Sequence, residues 1–349
     1  MVPPKKTIRV VIADDSLVAR EMLAQILASD PDIEVVGQAK DGDEAVALVA
    51  QLRPDLVTMD IHMPKMDGLK ATEKIMAFTP TPILVVSSSV HGEGMGRAFD
   101  ALNLGALEVI KKPEPQDWAD LERIGRDVLR KVKILSNVKV ITHIRGRHAQ
   151  PEGAHGGKPT VSGGGKSVIA VGSSTGGPSA LLSVFEVLPP NLPVPVLVAQ
   201  HIADGFIPGL VDWLDAGSKI KVVCAKEGDQ PEAGLAYIAP TGANMVVEGA
   251  TLRFKAPTKK QLYVPSADAL FESVAKAYGK SAVGVLLTGM GADGAIGLKR
   301  MHDLGAATVA QNEETCTVFG MPKAAIDLGA VDQVLAVDQI GRALASIVG

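Results

Sequence analysis

Short apolar runs alternate with helix-like segments over the first 130 residues of the chain. The runs are Arg9–Ala13, Ile33–Val36, Leu56–Met59, Ile83–Val86 and Leu107–Ile110. After the first run, Leu23, Ile26 and Leu27 recur at helical spacing, and Ser16 is placed to cap that helix. Parallel strands need a crossover connection, which a helix usually supplies. The alternation therefore predicts a doubly wound parallel sheet, in a domain that we place at residues 5–130.

A change of composition separates this part of the chain from the rest. After Leu129 basic residues outnumber acidic ones, and six glycines then fall within residues 153–165. Such a stretch cannot bury a core and is typical of a flexible linker, which we place at residues 131–165. Strand and helix patterns then alternate again, which predicts a second α/β domain over residues 166–349. A chain of this length can hold two separate cores.

Charge, cysteine content and hydropathy narrow the class of protein. The chain is 46% hydrophobic and 21% charged with a net charge of −4, so it lacks the basic balance of a dedicated nucleic-acid binder. Only Cys224 and Cys316 are cysteines, which implies no disulfide framework and favours a reducing compartment. The sequence shows no signal-peptide core and no long uncharged apolar run. We therefore expect a cytoplasmic protein without membrane insertion.

Residues Val171–Pro178 read V-G-S-S-T-G-G-P and continue the apolar run Ser167–Val171. Gly172, Ser174 and Gly176 fit G-x-S-x-G, a turn between strand and helix that exposes a serine hydroxyl at the end of a parallel sheet. The same pattern also fits a glycine loop that cradles phosphate, or a plain tight turn. Ser174 is the candidate nucleophile.

Two further strand ends offer the partners of a nucleophilic serine. The apolar run Val194–Ala199 leads into His201, about one βαβ unit after Ser174. The run Ala282–Leu287 leads into a glycine-rich turn that carries Asp293. Open α/β sheets build sites beyond the carboxyl ends of their strands, so we expect the three side chains to meet there. Taken singly, such a histidine or aspartate is more often a structural residue.

Together these residues predict a serine hydrolase. Ser174 would attack an acyl carbon, His201 would take and return the proton, and Asp293 would hold the imidazole tautomer. The backbone N–H groups of Thr175 and Met290 are candidate oxyanion donors. The chain order Ser, His, Asp differs from the Ser, acid, His order of standard α/β-hydrolases.

Carboxylates end two strands of the N-terminal sheet. Asp14 and Asp15 follow the first strand, and Asp60 follows the third. Clustered carboxylates repel one another unless a cation lies among them, and hard oxygen ligands suit Mg²⁺. Ser87 and Lys112 follow as a hydroxyl and an ammonium group at the ends of the fourth and fifth strands. We predict phosphoryl transfer to Asp60, with Mg²⁺ held by Asp14, Asp15 and Asp60.

The N-terminal set resembles the receiver domain of bacterial two-component response regulators, which is flavodoxin-like. The resemblance rests on Asp14-Asp15, Asp60-x-x-Met-Pro-x-Met-Asp-Gly, Ser87 and Lys112-Pro113, and it covers about residues 7–128. It implies that Asp60 is the phosphoacceptor, and that Ser87 and Lys112 form the phosphorylation switch.

The C-terminal part contains the motifs Gly172-Ser-Ser-Thr-Gly-Gly-Pro, Gln200-His201, Tyr237-Ile-Ala-Pro, Leu286-Leu-Thr-Gly-Met-Gly-Ala-Asp-Gly and Gly320-Met-Pro-Lys-Ala-Ala. With these motifs it looks like the chemotaxis protein-glutamate methylesterase family. The resemblance implies a receiver, a linker and a Rossmann-like α/β esterase domain. Its triad maps to Ser174, His201 and Asp293, and its oxyanion donors map to Thr175 and Met290.

The same resemblance implies a substrate, partners and a mode of regulation. It implies hydrolysis of glutamyl methyl esters on methyl-accepting chemoreceptors with release of methanol, and deamidation of glutamines in some members. A chemotaxis histidine kinase would supply the phosphoryl group. Mg²⁺ would serve the receiver, and the esterase step would need no cofactor. In the family, the unphosphorylated receiver covers the esterase site and phosphorylation relieves this block.

Several segments depart from the family pattern. Ile202–Phe206 replaces a usual Met-Pro-x-x-Phe, Asn244 stands where histidine is frequent, and Tyr263–Ser266 replaces His-Arg-Pro-Ser. Loops around a fixed triad set specificity, so these changes bear on substrate choice. Val109 takes the place of an aromatic switch residue, which bears on how phosphorylation is read out.

Other functions stay open on the sequence. A response regulator with a DNA-binding output fits the receiver and the basic linker, but residues 166–349 show a βα alternation in place of a helix-turn-helix. A hydrolase of a different protein or of a small-molecule ester fits the same triad. A scaffold that only docks on receptors conflicts with an intact triad.

Overall fold

The structure is a computed structural model that describes residues 6–88, 94–115, 117–140, 165–258 and 261–349. The chain divides into two units, Met1–Pro151 and Glu152–Gly349. Most of the predicted linker, residues 141–164, lies outside the described residues. The boundaries predicted for the domains and the linker therefore stay predictions.

The first unit contains a parallel sheet whose strands alternate with helices. The strands are β1 (Ile8–Ala13), β2 (Ile33–Ala39), β3 (Leu56–Met59), β4 (Ile83–Ser87) and β5 (Glu108–Lys111). The helices are α1 (Leu17–Ala28), α2 (Gly42–Leu52), α3 (Gly68–Phe78), α4 (Gly94–Asn103) and α5 (Trp118–Leu135). The strand order is β2-β1-β3-β4-β5, and every neighbouring pair is parallel. This order is flavodoxin-like and confirms the predicted fold class. Helix α5 continues past residue 130, to Leu135.

Side-chain caps explain where the helices of this unit begin. Ser16, as predicted, accepts a hydrogen bond from the N–H of Ala19 at the start of α1. Asp41, Asp67 and Asp117 accept the equivalent hydrogen bond at the starts of α2, α3 and α5. Each oxygen satisfies an N–H that the helix itself cannot pair. The caps thus fix where each loop after a strand ends.

The second unit contains a larger parallel sheet. Its strands are β6 (Val168–Ser173), β7 (Val196–Gln200), β8 (Lys221–Cys224), β9 (Leu235–Ile238), β12 (Ala282–Leu286), β13 (Ala307–Gln311) and β14 (Gln333–Leu335). Strands β10 (Asn244–Glu248) and β11 (Thr251–Lys255) form a separate antiparallel pair. The helices are α6 (Gly177–Phe185), α7 (Ile207–Gly217), α8 (Ala267–Tyr278), α9 (Ala295–Asp303), α10 (Met321–Asp327) and α11 (Val337–Val348). The strand order is β14-β13-β12-β6-β7-β9-β8. The second α/β fold is therefore confirmed as well.

The strand order of the second unit reverses at β6. From β6 the chain passes to β7 on one side, and β12 later pairs with β6 on the other side. Ligands in open α/β sheets bind beyond the carboxyl ends of the strands at such a reversal of strand order. All residues of β6, β7 and β12 are buried, which explains their continuous apolar runs. The ends of these strands are where the predicted catalytic residues lie.

Helix length and polarity bear on the prediction about membranes. Among the described residues, no helix combines the length and the apolar character that a membrane span needs. The longest, α5, carries many charged side chains.

Candidate active site

Ser174 lies in the turn that joins β6 to α6. Its N–H donates to the carbonyl of Thr288 (3.0 Å), and its own carbonyl accepts from the N–H of Gly177 (2.8 Å). Gly176 has a φ of +75°, and a Cβ there would lie 2.3 Å from Thr317 Oγ1. Only glycine fits this position, which explains the second glycine of the G-x-S-x-G pattern.

His201 follows β7, and the amide of Gln200 fixes it next to the turn of Ser174. Gln200 Nε2 donates to the carbonyls of Ser174 (2.9 Å) and His201 (2.8 Å). Gln200 Oε1 accepts from Ser173 Oγ (2.6 Å), and the N–H of His201 donates to the carbonyl of Ser173 (2.9 Å). One buried amide therefore ties the two strand ends together. This bridging role was not predicted.

Asp293 accepts hydrogen bonds on both carboxylate oxygens. Oδ2 is 2.8 Å from His201 Nε2 and accepts the N–H of Ala267 at 2.7 Å. Oδ1 accepts from Ser266 Oγ (2.9 Å) and from the N–H of Asp268 (3.2 Å). Burial alone would raise the pKa of Asp293, but the hydrogen bonds from His201 and from the start of α8 lower this pKa below its ordinary value. Asp293 is thus an ionised acceptor, so Nε2 of His201 carries the proton.

The other ring nitrogen of His201, Nδ1, is buried and has no hydrogen-bond partner among the described residues. Because Nε2 carries the proton, Nδ1 is the acceptor of the ring. The structure therefore brings His201 and Asp293 into hydrogen-bond contact, whereas Ser174 Oγ makes no such contact with Nδ1. Catalytic hydrogen bonds are often long in the absence of substrate, and Nδ1 is the nitrogen left for the serine proton.

The turn after β12 packs directly against the turn of Ser174. A Cβ at Gly289 would lie 2.7 Å from Ser174 Cβ, so the approach requires glycine. Thr288 Oγ1 donates to the carbonyl of Thr175 (2.9 Å) and links the two turns. The N–H groups of Thr175 and Met290 donate to no backbone carbonyl within the described ranges. They remain available as the predicted oxyanion donors.

The first unit gathers charged residues at the carboxyl edge of its own sheet. Oxygens of Asp14, Asp15 and Asp60, one from each, lie within 4.8 Å of one another. Lys112 Nζ lies 2.7 Å from Asp14 Oδ2 and 3.2 Å from Asp60 Oδ2. The N–H of Lys112 donates to the carbonyl of Ser87 (2.9 Å), so the ends of β4 and β5 are adjacent. All five predicted residues therefore lie at this edge.

Burial and charge shift the pKa values in this cluster. Burial raises the pKa of Asp60; the charge of Lys112 opposes this rise, and the charge of Asp14 adds to it. Burial lowers the pKa of Lys112, but Asp14 and Asp60 outweigh it and hold that pKa above its usual value. Three carboxylates this close gain stability from a cation, and their hard oxygen atoms fit Mg²⁺.

Comparison with known protein families covers both units. A response regulator receiver domain matches residues 10–121. The CheB methylesterase domain matches residues 169–344. The chain belongs to the CheB methylesterase family.

Relatives of this CheB chain align with almost its whole length. The protein-glutamate methylesterase/protein-glutamine glutaminase 2 of Anaeromyxobacter dehalogenans (strain 2CP-C) is 46% identical over 339 residues, covering 97% of this chain and 96% of the relative. A protein of the same name, numbered 1, from Syntrophus aciditrophicus (strain SB) is 44% identical over 350 residues, covering 98% and 99%. The crystal structure of the Thermotoga maritima CheB methylesterase catalytic domain matches with a TM-score of 0.50 and 34% identity, covering 52% of this chain and 98% of that domain. The resemblance inferred from the motifs is confirmed.

Two positions that depart from the CheB motifs lie around the triad. The ring of Tyr263 stacks on the imidazole of His201. Asn244 Oδ1 accepts from the N–H of Ser266 (2.8 Å), whose hydroxyl in turn donates to Asp293. The third departure, Ile202–Phe206, follows His201 directly. In the receiver, Val109 is buried within β5.

Asp268 carries a second carboxyl group of the CheB domain next to the triad, since its N–H donates to Asp293. Its Oδ1 accepts the N–H of Gly297 at 2.7 Å. Burial, with smaller contributions from the charges of Asp293 and Glu272, raises its pKa to about 6. The folded protein therefore binds more protons than the unfolded chain between pH 3.8, the ordinary pKa of the carboxyl group, and about pH 6. Stability is lost as pH rises through this window.

Replacing Asp268 with asparagine is expected to stabilise the protein at pH 8 by about 1–3 kcal/mol. Asparagine keeps an acceptor for the N–H of Gly297 but never ionises. At pH 4 the carboxyl group is mostly protonated, so the two proteins are expected to be nearly equal. Urea unfolding at both pH values measures the difference. A gain that is the same at pH 4 and pH 8 would contradict this account of Asp268.

Proposed function

We propose that this chain hydrolyses glutamyl methyl esters on methyl-accepting chemoreceptors, and that phosphorylation of Asp60 raises this activity. The hydrogen bond of 2.8 Å between Asp293 and His201 Nε2, which leaves Nδ1 as the acceptor nitrogen of the ring, carries the proposal. The names of the two relatives support the choice of substrate. We also place the chain in the cytoplasm, where a reducing environment suits its two free cysteines.

In the acylation step, Ser174 Oγ attacks the ester carbon while His201 Nδ1 takes the hydroxyl proton. The carbonyl π bond opens, and the N–H groups of Thr175 and Met290 bind the oxyanion that forms. When the tetrahedral intermediate collapses, the bond to the methoxy oxygen breaks. His201 Nδ1–H then protonates that oxygen, and methanol leaves. Asp293 stays ionised and stabilises the imidazolium through Nε2.

Water hydrolyses the acyl-enzyme in the second step. His201 Nδ1 takes a proton from water, whose oxygen attacks the acyl carbon. The bond to Ser174 Oγ then breaks, and the same nitrogen returns the proton to that oxygen. The product is a free glutamate side chain. Water and this chain's own groups supply every proton, so the reaction as proposed uses no cofactor.

Deamidation of glutamine is a second candidate activity, which the names of both relatives favour. An amide side chain fits the same two steps. Ammonia then leaves in place of methanol, after protonation by His201.

In the receiver, we assign Asp60 as the acceptor of a phosphoryl group from a chemotaxis histidine kinase. A carboxylate oxygen of Asp60 bonds to phosphorus as the bond from phosphorus to the kinase histidine breaks. Mg²⁺ bound by Asp14, Asp15 and Asp60 would neutralise charge on the phosphoryl oxygens. Lys112, 3.2 Å from Asp60 Oδ2, supplies a second positive charge, and Ser87 supplies a hydroxyl.

Mass spectrometry of a methylated chemoreceptor, before and after incubation with the full chain, tests the substrate. Hydrolysis is expected to remove one CH2 from each glutamyl methyl ester that is processed. Conversion of glutamine to glutamate would reveal the second activity. A receptor whose esters all survive incubation with the phosphorylated protein would overturn the proposal.

A further inference from the structure

Tyr263 and His201 form a parallel ring stack. Their ring centroids lie 4.5 Å apart, and the two planes meet at 3°. This separation is within the range of favourable ring pairs. One face of the imidazole is therefore covered by an aromatic ring, while its Nε2 edge is held by Asp293.

The segment that carries Tyr263 is anchored on both sides by one buried side chain. Asn244 Nδ2 donates to Gln261 Oε1 (2.9 Å), and Asn244 Oδ1 accepts the N–H of Ser266 (2.8 Å). Asn244 is 3% exposed, at the start of β10. The position of the Tyr263 ring is thus set by contacts on either side of it in the chain.

The hydroxyl end of the Tyr263 ring borders the turn that follows Met290. A Cβ at Gly291 would lie 3.4 Å from the Tyr263 hydroxyl oxygen. Gly291 has a φ of +86°, so this close turn also needs glycine. The tyrosine therefore spans from the base of the proposed triad to the turn of a proposed oxyanion donor.

We propose that Tyr263 is a positioning residue for His201, which keeps the imidazole oriented and stabilises the imidazolium formed in each proton transfer. The inference rests on the proposed function. With Nε2 bonded to Asp293 and one face stacked, the ring has little freedom to turn, so Nδ1 keeps the orientation in which the proposed mechanism uses it. When Nδ1 takes the serine proton, the ring becomes a cation against an aromatic face, whose negative quadrupole attracts it.

The matched pair Tyr263→Phe and Tyr263→Leu separates the aromatic face from simple filling of space. Phenylalanine keeps the stack, whereas leucine fills much of the volume without a π system. We expect the leucine variant to lose roughly five- to thirty-fold in kcat with little change in KM, which corresponds to one cation–π contact. The phenylalanine variant is expected to stay within about twofold of wild type. Tyr278→Leu makes the same substitution on α8, away from the triad.

A second readout separates this inference from the choice of substrate. A fluorophosphonate probe bonds to the activated serine oxygen, fluoride leaves, and the serine proton passes to His201, so its rate reports on the triad without any receptor. The rate at Ser174 is expected to fall in Tyr263→Leu and to recover in Tyr263→Phe.

The outcomes of the two assays can be told apart. If the probe rates behave in this way while no receptor ester is cleaved, the substrate proposal fails and the role of Tyr263 stands. Thermal unfolding checks that Tyr263→Leu is folded. If the folded variant matches wild type in both assays, the role of Tyr263 is overturned. An equal loss in Tyr263→Phe or in Tyr278→Leu would overturn it too.

Discussion

Ser174→Ala is expected to lower kcat/KM for methyl ester hydrolysis by about 10⁴-fold or more, because the acyl-enzyme can no longer form. The turn around Ser174 is held by backbone hydrogen bonds to Thr288 and Gly177, which alanine keeps. We therefore expect the variant to fold and to melt within a few degrees of wild type. Methanol release and thermal unfolding, measured on the same preparation, check both expectations.

Ser179→Ala is the matched control for this variant. Ser179 lies in the first turn of α6, close to Ser174 in the chain, but it has no place in the proposed triad. Its hydroxyl is expected to be dispensable for hydrolysis. If Ser174→Ala instead hydrolyses the ester within tenfold of wild type, a different nucleophile performs the reaction.

Asp293→Asn is expected to reduce kcat by about 10³–10⁴-fold, by placing the His201 proton on the wrong nitrogen. An asparagine amide that faces Nε2 donates to it, so the ring must carry its proton on Nδ1. That nitrogen then cannot accept the proton of Ser174. If the amide turns the other way, its NH2 group meets the donors Ser266 Oγ and the N–H of Asp268. Either orientation is unfavourable, so we also expect a loss of stability of about 1–3 kcal/mol.

Asp303→Asn makes the same chemical change on the exposed end of α9. There the carboxylate pairs only with surface groups, among them Lys299. We expect this control to retain full activity. The rate of fluorophosphonate modification at Ser174 is expected to follow kcat in both variants. Unchanged modification in Asp293→Asn would show that Asp293 does not set the tautomer of His201.

The strand ends were predictable because they follow from local patterns. Short buried runs mark the strands, and the first polar residue after each run marks the edge where a site forms. Ser174, His201, Asp60 and Lys112 all follow such runs. The structure places each of them at the carboxyl edge of its sheet.

The residues that hold the triad in place could not be predicted in the same way. Gln200, Thr288 and Ser266 act through hydrogen bonds to backbone or side chains 26 or more residues away in the chain. The periodic pattern of apolar residues within a segment does not predict contacts between segments so far apart in the chain. Ser266 did carry one visible signal, as the N-cap of α8, but its second bond to Asp293 appears only when α8 meets the β12 turn.

The β10–β11 pair was also absent from the predictions. From Met245 onward its first strand alternates buried and less buried residues, and it ends at a two-residue turn that begins with Gly249, whose φ is +66°. This is a recognisable hairpin signal. Parallel βα units dominate the rest of the domain, so this antiparallel pair departs from the pattern that predicts the other strands. The hairpin matters for the site because β10 begins with Asn244, which anchors the segment of Tyr263.

In the proposed function, Asp60 in one unit controls hydrolysis at Ser174 in the other. The free energy by which phosphorylation favours the active state can be bounded, since a tenfold rise in rate corresponds to about 1.4 kcal/mol. A shift from 1:99 to 99:1 between inactive and active states requires about 5.5 kcal/mol. The fold increase in hydrolysis rate on phosphorylation therefore gives this free energy directly.

The most direct measurement is methanol release from membranes with methylated chemoreceptors, with and without acetyl phosphate and Mg²⁺. Wild type, Asp60→Ala and the control Asp43→Ala, which removes an exposed carboxylate of α2, are compared. We predict that the donor accelerates wild type and Asp43→Ala and has no effect on Asp60→Ala. Equal stimulation of Asp60→Ala, or no stimulation of a wild-type protein shown by mass spectrometry to be phosphorylated on Asp60, would contradict the account.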